Sequence, residues 1–190
     1  MARQTKRHVL RRSIAMIGLM GAGKSSVGQR LAGALGVSFV DSDDAIVEAA
    51  NLSIAEIFEK YGEAHFRSGE RRVIARLVEG PPAVIATGGG AFMDDETRAL
   101  LNAKAVTVWL RANIDVLVER TAGRTHRPLL NQGNPREILA DLIDKRYPIY
   151  GQAHLKVDSL AGQAHEAMVN RIIKALKADG RAFGAETDEV

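Results

Sequence analysis

Gly18-Leu19-Met20-Gly21-Ala22-Gly23-Lys24-Ser25 is the most informative segment of the chain. It has the form G-x-x-x-x-G-K-[ST], follows the apolar run Ile14-Ala15-Met16-Ile17, and opens a segment with Val27, Leu31, Ala34 and Leu35 at helical spacing. Strand, glycine-rich loop and helix in that order make a phosphate-binding P-loop. The glycines let the backbone turn its N–H groups inward without Cβ interference, and the helix places the positive end of its dipole where an anion sits. On this reading Gly21, Ala22, Gly23, Lys24, Ser25 and Ser26 bind a nucleoside triphosphate. Lys24 reaches its outer phosphates and the Ser25 hydroxyl goes to Mg²⁺. The plainer alternative is a glycine-rich turn ending in a surface lysine, and the flanking strand and helix argue against it.

Working outward, residues 13–17 form an apolar run without alternation, the pattern of a buried parallel strand. Gly36 stops the first helix, and a second short strand at 38–40 delivers Asp41-Ser42-Asp43-Asp44 at its C-terminal end, the edge where open α/β sheets bind ligands. Helices follow from about 43 to 50, from the capping box Ser53-Ile54-Ala55-Glu56 through Phe58, and from about Glu63 through Val78. Three helices without an intervening strand break the βα rhythm and are expected to form an excursion over a second substrate, about 43–79. Strands at 83–86, 106–110 and 155–158 complete a mainly parallel five-stranded sheet, with helices at 114–121, from 135 to about 147, and around Val169, Ile172, Ile173 and Leu176. The polar stretch at about 122–134 is long for a loop in a compact domain and is expected to be a mobile lid. The expected architecture is a P-loop three-layer α/β/α fold in one domain, 13–178, between a basic tail at 1–12 and a C-terminal tail at 179–190.

Bulk properties narrow the field. The 190 residues suffice for one sizeable core. The absence of cysteine excludes disulfides and thiolate chemistry. No apolar run approaches membrane-spanning length and the start lacks a secretory signal, so no membrane partner and a cytoplasmic location are expected. The formal charge of +3 is concentrated in Arg3, Lys6, Arg7, Arg11 and Arg12, opposed by Glu186, Asp188 and Glu189 at the far end. Between these solvated tails the body is nearly neutral, so no nucleic-acid partner is expected.

A P-loop names a nucleotide and not an activity. Asp41 and Asp43 stand at i and i+2 beyond the second strand, where one can face Mg²⁺ and the phosphates and the other a second pocket; helix N-capping by Ser42 or Asp43 is the competing role. Gly88-Gly89-Gly90 ends the third strand, permitting close approach of a ligand and offering successive N–H donors, or merely making a turn before the helix at Asp94. Arg67 with Glu70 reads equally as an exposed i, i+3 ion pair, and Arg146 as a cation favoured at a helix C-terminus. Arg127, in the lid, is placed to stabilise charge on a transferred phosphoryl group. His65 and His126 lack metal-ligand spacing, and Tyr147 and Tyr150 read as packing.

Taken together, the P-loop, Asp41-Ser42-Asp43, Phe66-Arg67 with Glu70, Gly88-Gly89-Gly90, Arg127-Pro128-Leu129-Leu130, and Arg146 before Tyr147-Pro148-Ile149-Tyr150 resemble the shikimate kinases, in order and spacing, from about 14 to 177. The resemblance implies a nucleoside monophosphate kinase-like fold and a monomer that converts ATP and shikimate to ADP and 3-phosphoshikimate, on the route to chorismate and the aromatic amino acids. By the same resemblance Asp43, Arg67, Gly88, Gly89, Gly90 and Arg146 hold the substrate, with the two arginines on its carboxylate and Asp43 on the attacking hydroxyl. Asp41 supports Mg²⁺ through water, Arg127 meets the phosphates on lid closure, and Arg120 stacks near adenine. Catalysis falls to Lys24, Asp43 and Arg127. Ser26 stands where the family often has Thr. The rival readings are a gluconate or nucleoside monophosphate kinase on the same fold, a GTPase, for which no N-K-x-D is found, and a nucleic-acid-binding ATPase using the basic tail.

Overall fold

The computed structural model describes residues 9–122 and 133–184. Its centre is a five-stranded, all-parallel sheet of β1 (Ile14–Ile17), β2 (Ser38–Asp41), β3 (Ala83–Ala86), β4 (Val106–Ala112) and β5 (Leu155–Ser159), in the order β2-β3-β1-β4-β5. β1 and β3 are buried at every position, as strands covered on both faces must be. The chain leaves β1 toward one edge of the sheet and returns to its other side with β4, so the end of β1 lies at the switch point where such sheets open a crevice.

Helices α1 (Lys24–Leu35), α2 (Ser42–Ala50), α3 (Ile54–Glu79), α4 (Asp95–Lys104), α5 (Ile114–Thr121), α6 (Pro135–Tyr150) and α7 (His165–Asp179) accompany it among the described residues. The start and stop signals are local. Gly36 takes φ 67° at the end of α1, Asp94 and Asn113 cap α4 and α5 with their side chains, and Ser53 and Glu56 form the reciprocal capping box that begins α3. One core runs through Ile14, Met16, Ile17, Leu31, Ile85, Leu110 and Leu117, while a satellite of Ala45, Ile46, Ile57, Phe66 and Val73 holds the α2–α3 excursion together.

The second and third excursion helices are present as expected, abutting within α3 at a kink where Gly62 adopts φ 78° and ψ 174°, a break that only the backbone freedom of glycine permits. Two expectations need correcting. Helix α6 continues past position 147 through Pro148 to Tyr150, because the apolar and aromatic side chains beyond the proline still bury against the core. The inner ends of the two tails are not solvated: Leu10 and Phe183 form an antiparallel bridge, Arg11 N–H donates to the Ala182 carbonyl at 2.8 Å, and Leu10 and Ala182 are buried. Residues 9–12 and 182–184 thus meet, and pairing satisfies backbone groups that burial takes from water. The lid expected at about 122–134 lies almost wholly outside the described residues, as do the outer parts of both tails.

Candidate active site

The P-loop joins β1 to α1. Gly21 and Gly23 take φ 81° and 100°, a left-handed conformation that a side chain would strain, and Gly23 sits at the N-cap of α1. A Cβ on Gly18 would lie 2.9 Å from the Leu110 carbonyl oxygen of β4, so the loop also needs glycine for space. The Lys24 ammonium donates to the carbonyls of Gly18, at 2.8 Å, and Leu19, at 3.1 Å. It therefore lies curled over the loop whose N–H groups face the phosphate site.

Asp41 closes β2 and caps α2. Its Oδ1 accepts from the Asp43 N–H at 3.0 Å and its Oδ2 from the Ser25 hydroxyl at 2.9 Å. The capping role weighed for Ser42 or Asp43 belongs to Asp41, which leaves the Asp43 carboxylate for the cleft. Ser42 is buried, and its hydroxyl accepts from the Gly88 N–H at 3.0 Å. Of the donors expected from the glycine run, that one is already taken.

The glycine run owes its composition to three side chains that press against it. A Cβ at Gly88 would meet Asp43 Oδ1 at 2.8 Å, at Gly89 the Arg146 Nη1 at 3.1 Å, and at Gly90 the Arg67 Nη2 at 2.5 Å. Backbone and functional groups from β2–α2, α3 and α6 thus meet at one sheet edge, and an alanine at any of the three positions would push one group away. Tyr150 donates its hydroxyl to the Gly89 carbonyl and hydrogen-bonds Arg146. Behind it Trp109 packs edge-on against Tyr147, with ring centroids 4.9 Å apart, and Tyr147 donates to the Ala112 carbonyl. Burial pushes the Tyr147 hydroxyl up to about 12, against the pull of its hydrogen bond to Ala112. The two tyrosines are packing residues, as expected, and Tyr150 also clamps Gly89. Tyr150 lies four residues after Arg146 on one helix, a spacing that made the clamp discoverable from sequence.

Arg67 and Glu70 are not the exposed pair that sequence allowed. Glu70 is 1% exposed and accepts from Arg67 Nη1 at 2.6 Å, while Glu63 lies 3.6 Å from Nη2 at the surface. The Arg67 guanidinium also sits 5.2 Å above the Phe66 ring. Burial holds Glu70 above the ordinary carboxylate value against the pull of Arg67. Burial, and then the Asp41 carboxylate, raises Asp43 likewise, with Lys24 and Arg67 opposing. Arg120 donates to Ser159 Oγ at 2.7 Å and the Leu160 carbonyl at 2.9 Å, beside the P-loop carbonyls of Gly21 and Ala22. Its anchoring by Ser159, which in turn donates to the Ala22 carbonyl at 3.1 Å, left no sequence signal.

All of these groups line one cleft of about 700 Å³: Lys24, Ser25, Ser26 and Arg120 toward the P-loop end, Asp43, Arg67, Glu70, the three glycines and Arg146 toward the other. Of the residues singled out from sequence, Ala22 lies buried behind the loop and Arg127 lies outside the described residues.

A phosphate cradle facing a pocket of two carboxylates and two guanidiniums, on this sheet order, defines the class: a P-loop α/β protein of the nucleoside monophosphate kinase-like kind. The family model for shikimate kinase matches residues 20–177. A shikimate kinase of Paramagnetospirillum magneticum is 54% identical over 87% of this chain and 84% of its own length. The structure of shikimate kinase from Acinetobacter baumannii in complex with shikimate superposes with a TM-score of 0.83 and 35% identity, covering 90% of this chain and 95% of that one. A gluconokinase from Sinorhizobium meliloti, at 19% identity and a TM-score of 0.53, shares the fold alone. The chain belongs to the shikimate kinase family.

Proposed function

We propose that the chain transfers the γ-phosphoryl group of ATP to the 3-hydroxyl of shikimate. The observation that carries this reading is the single cleft with Lys24 and Ser25 at one end and Asp43, Arg67 and Arg146 at the other, in a chain this similar to shikimate kinases. A small polyol carboxylate needs cations for its carboxylate and acceptors for its hydroxyls. Arg67 and Arg146 supply planar donors for the first, and Asp43 and the Gly89–Gly90 turn supply polar groups for the second. Gluconate has the same general chemistry, so charge alone does not separate the two acceptors; the family membership does.

Phosphoryl transfer proceeds through a loose transition state, so positioning and charge neutralisation outweigh proton removal. Asp43 orients the attacking hydroxyl and receives its proton, a role helped by a carboxyl whose pKa burial has raised toward the working pH. Lys24 draws the transferred phosphoryl group to the loop. Arg127 is assigned the same electrostatic task from its position in the sequence. A hard cation such as Mg²⁺ fits the oxygen pair of Ser25 Oγ and Asp41 Oδ2, since it keeps most of its water and phosphate ligands and needs few from protein. It would be held by Ser25 directly and Asp41 through water, and when bound it neutralises charge on the β- and γ-phosphates. Arg120 is assigned to the base of the nucleotide, a role supported by its ties to the P-loop and to Leu160.

The test is a coupled ADP-release assay with shikimate, gluconate and AMP as alternative acceptors, with and without Mg²⁺. Turnover with shikimate at least about a hundredfold above the other two, lost when the metal is chelated, is expected. Preferred turnover of gluconate or AMP would sink the assignment.

A further inference from the structure

The excursion holds a second cavity, of about 610 Å³, that the proposed reaction leaves unused. Among the described residues it shares one wall with the catalytic cleft, Phe66. Its floor is apolar, from Ile46, Ile57 and Val73, and Gly69 opens it further, since a Cβ there would meet nothing within 4 Å. At its rim the Tyr61 and His65 rings lie 4.8 Å apart, tilted by 32°, and Tyr61 is 55% exposed. Arg72 and Arg76, one turn apart on α3, complete the rim. The arginines beside them are occupied, Arg67 by Glu70 and Glu63, and Arg71 by Asp94 and Glu96, whereas Arg72 and Arg76 pair with no acid among the described residues. An apolar floor, an aromatic rim and two free guanidiniums form a complementary set for one kind of molecule: a flat ring carrying a single anionic group.

We propose that this cavity is an effector site for a small aromatic monoanion, its ring against the Tyr61–His65 pair and its charge on Arg72 and Arg76, and that occupation alters acceptor affinity through Phe66. The Phe66 ring stacks on Phe58, with centroids 4.6 Å apart, and carries Arg67 5.2 Å above it, so a ligand pressing on Phe66 bears on the arginine that meets the acceptor. The bend at Gly62, between Tyr61 and Phe66, gives α3 a point at which to yield. The coupling rests on the proposed role of Arg67; binding to the cavity does not.

The probe is 8-anilinonaphthalene-1-sulfonate, titrated by fluorescence into the full chain with a non-hydrolysable ATP analogue saturating the P-loop. The expected result is one bound probe, displaced by 3-phenylpropionate and not by uncharged 3-phenylpropanol. Gly69→Leu, which fills the cavity, and the pair Arg72→Gln with Arg76→Gln should each weaken binding at least tenfold, with kcat and KM in the absence of probe within twofold of the parent. Saturating shikimate should change the probe's Kd at least threefold, and saturating probe should change the calorimetric Kd of shikimate by the same factor, as linkage requires. Probe binding that survives in both variants, or that the alcohol matches, overturns the site. Binding lost in the variants and unaffected by shikimate overturns the effector role. Because the binding half is read without turnover, failure of the acceptor assignment would show separately, in the ADP-release assay.

Discussion

Asp43 shows how a single side chain ties chemistry to stability. Its ordinary pKa of 3.8 holds in the unfolded chain, and burial with the neighbouring Asp41 raises it in the fold, so the native state holds the proton more tightly. The stability this provides is complete below the unfolded value and is lost as pH rises through the folded one. At neutral pH the ionised carboxylate is therefore a net burden on the fold. Asp43→Asn is expected to lower kcat/KM for shikimate by about 10²-fold or more while raising Tm near pH 7 by about 2–4 °C, a gain that fades toward pH 4. Thermal melts across pH beside steady-state kinetics check both; an unchanged kcat/KM removes Asp43 from the site. Gly90→Ala is the steric counterpart. Its Cβ would stand 2.5 Å from Arg67 Nη2, so the guanidinium must shift by about 1 Å, and kcat/KM for the acceptor should fall about 10²-fold. The KM for ATP should stay within twofold, because Gly90 faces Arg67 and not the P-loop.

At the scale of elements, α3 carries most of what is particular to this site. It begins at the Ser53–Glu56 capping box, bends at Gly62, and then presents Phe66, Arg67 and Glu70 to the cleft. The backbone at Gly62, with φ 78° and ψ 174°, lies in a region that other residues scarcely enter. Gly62→Ala should cost about 1–3 kcal/mol in urea denaturation and weaken shikimate binding, leaving nucleotide affinity as it was. Equal loss of both affinities would mean that the bend serves the whole domain and not the acceptor pocket. The cap, the apolar spacing and the glycine were all visible in the sequence. What was not visible is the angle at which the two helical stretches of α3 meet at Gly62, since periodicity marks which face is buried and says nothing about how one stretch of helix docks on the next.

For the whole molecule, closure of the chain on itself is a separate source of stability. Leu10 packs into the main core and pairs with Phe183, and neither lines the cleft. Leu10→Ala should cost about 2 kcal/mol, seen as a fall in Tm of about 4–8 °C, with kinetic constants unchanged. A melt within 1 °C or so of the parent would mean that the bridge adds little. This contact was hidden in a segment whose charge read as a tail, because one apolar residue among arginines has no period to betray it. The parallel sheet, the P-loop and the order of helices were legible along the chain, since they follow from runs of apolar residues, glycines at fixed offsets and capping side chains, all local features. It took the folded arrangement to bring Asp43, Arg67 and Arg146 together at Gly88-Gly89-Gly90, to bury Glu70, and to make Asp41 the cap of α2. The reason is physical: side chains distant in sequence acquire partners, burial and shifted ionisation through the packing of strands and helices against one another, and no local pattern contains that packing.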